Sequence, residues 1–222
     1  MLSQALGEEQ DGRRLRGERS RARILDHAIA IASVEGLSGL TIGRVAAEAG
    51  VSKGNITVLF GDKESLQLAV FLRVMEQFRE TVLLPAAAKR TPLDRLLAWV
   101  DNWYDFVEAR VMPGGCFLNA VSSEYRTRPG RIRDSINDFR YTGQARLREW
   151  IEAAKEAGQL RPDMDVQALA FSLLAYQTSA NVASLMGDDA TFKTARRLSR
   201  ESVLAHATEG EQRPRRRRAS SA

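Results

Sequence analysis

Apolar positions recur at intervals of three and four residues along most of this chain, and no stretch shows the sustained period-two alternation of a half-buried strand. Ile24, Leu25, Ala28, Ile29 and Ala32 mark the face of a first helix that ends near Gly36. Two short helices follow between Thr41 and Phe60. A long one begins at Asp62, carries Leu66, Val70, Phe71, Val74 and Phe78, and runs to Pro85. Thr91 and Pro92 form a cap and first-position pair, and Leu96, Leu97, Val100, Trp103, Tyr104 and Val107 continue from them at helical spacing. Met112 to Gly115 breaks the chain, Cys116 to Tyr125 reads as a short helix, and Arg131 to Ala157 as a long one closed by Gly158. Two more helices start at Asp165 and Asp189. The pattern predicts an all-α fold.

The pair between Thr41 and Phe60 carries the chemistry. Leu40 and Val45 bracket Thr41 as a hydrophobic staple around an N-cap, and Val51 and Ile56 do the same around Ser52, so two helix starts lie close together. Ala49-Gly50 ends the first of them, because glycine enters the left-handed conformation without a Cβ clash. The second then opens with Ser52, Lys53, Gly54 and Asn55, a small, polar, cationic turn suited to close approach of backbone N–H groups to phosphate. Asn55 and Thr57 are the candidates for base edges. Arg44 and Lys53 are the candidates for phosphate, with Thr41 and Lys63 beside them at helix starts. A plain pair of core helices would bury Val45, Ala46, Ala49, Val51, Ile56 and Leu59 just as well, so the pattern alone does not decide.

Charge does. Arg13, Arg14, Arg16, Arg19, Arg21 and Arg23 stand against a single Glu18 immediately before the first helix, which is expected to pack on the pair. Residues 13–63 hold nine basic and five acidic side chains, a net +4, whereas residues 64–208 hold nineteen and eighteen, a net +1. Positive charge is concentrated where the motif lies, as a nucleic-acid contact requires.

These residues resemble the N-terminal domain of the tetracycline-repressor (TetR) family of bacterial transcription regulators. The similarity rests on RARIL at Arg21–Leu25 and on EGLSGLTIGRVAAEAGVSKGNITVLFGDKESL from Glu35 to Leu66. Gly54, Ile56 and Phe60 match the family's G-x-L-Y-x-H-F stretch, while Thr57 stands where a tyrosine is usual and Leu59 where a histidine is frequent. The resemblance implies a helix-turn-helix head at 20–66, preceded by a flexible basic arm at 1–19, and a helical ligand-binding and dimerisation body at 67–208. It implies a homodimeric repressor of operator DNA, released by a small-molecule effector, with no cofactor. An architectural DNA binder without ligand response is the alternative, and a purely helical interaction module is a further one.

For the body, Trp99, Trp103, Phe106, Met112, Cys116, Phe117, Phe171 and Tyr176 are candidate walls of an effector cavity, since aromatic and sulfur side chains make large adaptable apolar surfaces. Each is equally suited to an ordinary core. Asn119, Glu124 and Gln177 are polar groups among apolar stretches that a ligand would orient against, although Glu124 also suits a solvated helix face. Leu169, Leu173, Gln177 and Ala180 share one face of the Asp165 helix, whose small residues permit close helix approach. That face is the expected subunit seam, because two heads are needed for two half-sites one helical turn apart.

Composition narrows the alternatives. Only His27, His206 and Cys116 are available, without His-Glu-x-x-His or a phosphate-cradling glycine loop, which argues against an enzyme and against a metal site. A lone cysteine excludes an intramolecular disulfide and suits a reducing, cytoplasmic setting. No run of about 18 apolar residues is present, so no membrane span is expected. Arg213 and Arg215–Arg218 lie in a Ser/Ala/Pro-rich end, 209–222, read as a disordered basic tail that lifts the net charge from +2 to +5.

Overall fold

A computed structural model describes the backbone of residues 2–209 and side chains from residue 17 to 209. Its elements are helices α1 (Leu2–Glu35), α2 (Ile42–Glu48), α3 (Lys53–Phe60), α4 (Lys63–Phe78), α5 (Leu84–Ala87), α6 (Pro92–Glu108), α7 (Phe117–Glu124), α8 (Arg131–Glu156), α9 (Val166–Met186) and α10 (Asp189–Leu204). Among the described residues the extended pairing is an isolated bridge between Leu160 and Ala207, so the all-α expectation holds. The expected tail beyond Glu209 lies outside the described residues.

The described residues pack as two compact units, one from residues 2–77 with 112–136, the other from 78–111 with 137–209. Residues 112–136, expected in the body, therefore pack with the head. Within the stretch read as a basic arm, residues 2–19 are helical and form the first half of α1. Leu, Gln, Ala, Glu and Arg dominate it and proline is absent, and its scattered glycines each cost only about 1 kcal/mol, too little to stop a helix.

In the first unit, α1 buries Ile24, Leu25, Ala28, Ile31 and Ala32. It gives way at Gly36, whose φ of 76° is open to glycine, to a 3-10 turn at Leu37–Gly39 that buries Leu37. Thr41 then caps α2 and Ser52 caps α3, each side-chain oxygen accepting from the backbone N–H three residues on, at 3.2 Å. Between them Gly50 adopts φ 62°, and Val51 N–H donates back to Ala46 C=O at 2.9 Å. Asp62 caps α4 by accepting from Ser65 N–H at 2.8 Å, and that bond holds its carboxyl below the ordinary aspartate value.

In the second unit, a π-helical turn at Arg79–Leu83 precedes α5, with Leu84 N–H reaching Arg79 C=O. Pro85 has no N–H for a regular α-helical bond, which accounts for the widening just before it. Thr91 caps α6 with Pro92 in the first turn. α9 starts on Asp165, which accepts from Gln167 and Ala168 N–H at 2.8 and 3.0 Å, and α10 on Asp188, which accepts from Thr191 N–H at 3.0 Å. α10 packs along α9 and against α6. Arg196 bonds Asp105 at 2.5 Å and Glu108 at 3.0 Å, Arg200 pairs with Asp101, and Tyr104 shares a buried 2.8 Å hydrogen bond with Ser199.

Candidate nucleic-acid interface and effector site

The tight turn between α2 and α3 leaves the apolar residues Val45, Ala46, Ala49, Ile56 and Phe60 buried beneath a polar outer face. Thr41, Arg44, Ser52, Lys53, Gly54, Asn55, Thr57 and Lys63 are all exposed on this unit. Lys53 folds toward the start of α2, close enough that a Cβ on Gly43 would sit 3.1 Å from its Cε. The structure thus brings the opening of α3 and the opening of α2 together around one cation. The Thr57 hydroxyl donates to Lys53 C=O at 3.2 Å, back-bonding within its own helix.

Two features depart from the sequence reading. Arg44, expected on phosphate, is tied through both terminal nitrogens to Glu35 at the end of α1. The pair raises the arginine and lowers the glutamate from their ordinary values. Both groups are exposed, so the pair orients more than it stabilises. Val58, which the sequence reading passed over, is 85% exposed on α3 beside Thr57. An apolar side chain off the buried face of α3 would suit a thymine methyl group if that helix entered the major groove, and its position off the Ile56–Phe60 face was the available signal.

The turn that leads into α2 is held from several sides. Glu124, at the end of α7, accepts from Leu37 N–H at 2.9 Å, from Ser38 N–H at 2.7 Å, and from the Ser38 hydroxyl. Gln67 of α4 donates to Leu37 C=O at 2.5 Å, Lys63 donates to Ser38 C=O at 3.4 Å, and Arg128 donates to Ser38 Oγ at 2.8 Å. A Cβ on Gly36 would lie 2.4 Å from the Glu124 carboxylate. Glu124 is therefore neither solvated nor pointed at a cavity, but clamps the connection between α1 and α2. Arg21 lies over the Phe60 ring at 4.5 Å and fastens α1 to the far end of α3.

The proposed cavity walls separate. Trp99, Trp103 and Phe106 share one buried face of α6, with Phe106 edge-on to Phe78 at 5.8 Å and Trp103 edge-on to Tyr104 at 5.0 Å. Tyr176, on α9 in the same unit, is half-buried. Met112, Cys116 and Phe117 are buried too, and with the half-buried Asn119 they belong to the other unit. Phe171 lies apart from these buried residues, being 74% exposed on α9. The seam is corrected as well: Leu169, Leu173, Gln177 and Ala180 are buried within the protomer. α9 is apolar on more than one side, and α10 supplies Phe192, Ala195 and Val203 as a partner for one of them. Gln177 retains a buried amide nitrogen with no hydrogen-bond partner.

Residues 24–70 match the family model described as bacterial regulatory proteins, tetR family, and residues 92–199 match the tetracyclin repressor-like C-terminal domain. The chain belongs to the TetR family of transcription regulators. Members bind DNA and are not enzymes. Among solved structures, a TetR transcriptional regulator from Chloroflexus aurantiacus is similar at 23% identity and TM-score 0.79, covering 86% of this chain and 98% of that one. A TetR-family regulator from Cytophaga hutchinsonii is similar at 21% and 0.77, covering 87% and 98%. AibR, solved in complex with isovaleryl coenzyme A and operator DNA, is similar at 23% and 0.61, covering 73% and 85%. No curated protein sequence matches this TetR-family chain. No described helix is long and apolar enough to cross a membrane.

Proposed function

We propose that this TetR-family regulator is a homodimeric repressor that reads operator DNA with α3 and leaves it when a small, largely apolar effector occupies the second unit. The exposed opening of α3, with Ser52, Lys53, Gly54 and Asn55 gathered at one helix start beside the cap of α2, is the observation that carries the reading. Lys53 supplies a phosphate contact and Asn55, Thr57 and Val58 the base edges. Subunits meet through the outer face of α9, where Phe171, Ala175, Thr178, Val182 and Met186 recur at helical spacing and are exposed. The effector binds near Trp99, Trp103, Phe106 and Tyr176, with the Gln177 amide donating to an oxygen of the ligand. A buried donor without a partner costs about 1–3 kcal/mol, which such an acceptor removes.

Selection of bound sequences from a random duplex pool tests this. Enrichment of a palindrome with half-sites about one helical turn apart supports head and dimer together. A chain that enriches nothing overturns the reading. For the effector, compounds that change Trp99 and Trp103 fluorescence are expected to lower operator affinity by about 5- to 150-fold. Ligands that bind and leave operator affinity unchanged would remove the switch.

A further inference from the structure

The eight residues Arg126–Arg133 read RTRPGRIR, four arginines without an acidic residue, and all eight belong to the unit that carries α2 and α3. They fall outside the 24–70 match that defines the DNA-binding domain by sequence. The structure nevertheless fastens them to the start of the helix pair. Arg128 donates to Ser38 Oγ at 2.8 Å, and Ser38 stands three residues before the Thr41 cap and accepts from Lys63 on its carbonyl. Arg131 lies 3.7 Å from Glu64, the neighbour of Lys63. Glu124 fixes the same turn from the preceding helix.

We propose that Arg126–Arg133 is a second, backbone-reading part of the DNA interface, which grips phosphates flanking the groove that α3 enters. The proposal rests on the DNA-reading function given above. Arg126, Arg128 and Arg131 are exposed, the latter two with 54% and 63% of their side-chain surface open. Their contacts to Ser123 C=O, Ser38 Oγ and Glu64 are each made through Nη1. A guanidinium carries five N–H donors in a planar fork, so each arginine keeps an outward edge that matches a phosphate. Glu124, Glu64 and Asp62, the last of which interacts with Arg131, offset three of the four charges, and Lys63 restores one, so the surface around Ser38 remains cationic. Because the surface is continuous with the Thr41 and Lys63 helix starts, its partner is the duplex bound by α3 and not a separate acidic protein.

The test measures binding of the full chain and of R126Q/R131Q to the selected operator and to a scrambled duplex, between about 50 and 200 mM salt. Each lost phosphate contact flattens the log–log salt slope by about 0.9, so the double variant, which removes two contacts from each protomer of a bound dimer, is expected to lose about three to four units on both duplexes with its sequence preference unchanged. R126E/R131E is expected to weaken binding further. Matching thermal melts establish that the variants fold. Wild-type slopes in both double variants overturn the proposal while leaving the functional reading intact. A wild-type chain without salt-dependent duplex binding overturns both.

Discussion

Glu124 is a single side chain that stabilises three donors on a turn 86 residues earlier in the chain. Replacing it by alanine leaves two part-buried backbone N–H groups without a partner, and bonds to a charged acceptor are worth about 1.5–3 kcal/mol each. Glu124→Ala is expected to lower unfolding free energy by about 3 kcal/mol in urea titrations, and Glu124→Gln by less, since its amide oxygen still accepts. An unchanged midpoint in both would show that the clamp carries no stability. Tyr104 gives a residue-level pH dependence. Burial pushes its phenol up to about 12, against an ordinary value of 10.0, while the Ser199 bond acts the other way. The folded state therefore holds the proton more tightly than the unfolded state. Stability is complete below about pH 10 and falls as pH rises toward about 12. Tyr104→Phe is expected to remove that alkaline loss while lowering stability at neutral pH by about 1 kcal/mol, because Ser199 loses its partner. Base titration followed by circular dichroism separates the two effects. Neither role was legible in the sequence: both join positions 86 or more residues apart, with no periodic signal linking them.

Elements were far more legible than contacts, because a cap is a local event. Thr41, Ser52, Asp62, Thr91 and Asp165 announce helix starts through short polar side chains at defined offsets from apolar runs, and each does cap. What defeated periodicity was ambiguity of side. α9 carries apolar residues around most of its circumference, so spacing alone did not say which face meets α10 within the chain. Ser52→Ala should cost about 1 kcal/mol of stability and weaken operator binding, since α3 then begins less firmly. On the same helix, Lys53→Ala is expected to flatten the salt slope by about one unit per protomer, about two for a bound dimer, on every sequence. Val58→Ala or Asn55→Ala should instead redistribute sequence preference, by about 1–3 kcal/mol per lost base contact. Equal losses on all sequences for Val58→Ala would take that residue off the groove floor.

At the scale of the whole molecule, the outer face of α9 leaves Val182 and Met186, at 57% and 80% exposure, as apolar surface on the protomer. Val182→Arg is expected to give monomers in sedimentation at micromolar concentration, because a charge at a close helix contact lacks a partner there. Its protomer should melt close to wild type, since Val182 is 57% exposed and contributes little to internal packing. A persistent dimer places the interface elsewhere. The division into units was only partly legible: the helix pair follows from its motif, whereas the extent of its unit, with residues 112–136 included, depends on contacts that no local pattern encodes.

That completion has a consequence for the order in which the chain comes into being. Ser38 leaves the ribosome 86 residues ahead of Glu124. At about 5–20 residues per second, the turn before α2 waits about 4 to 17 seconds for its carboxylate. During that interval α1 to α3 exist without their clamp. A nascent chain stalled before α7 should thus be cut by protease near Gly36, and one stalled well past Ile136 should resist. The DNA-reading head, first in sequence, matures only after most of the protein has been made.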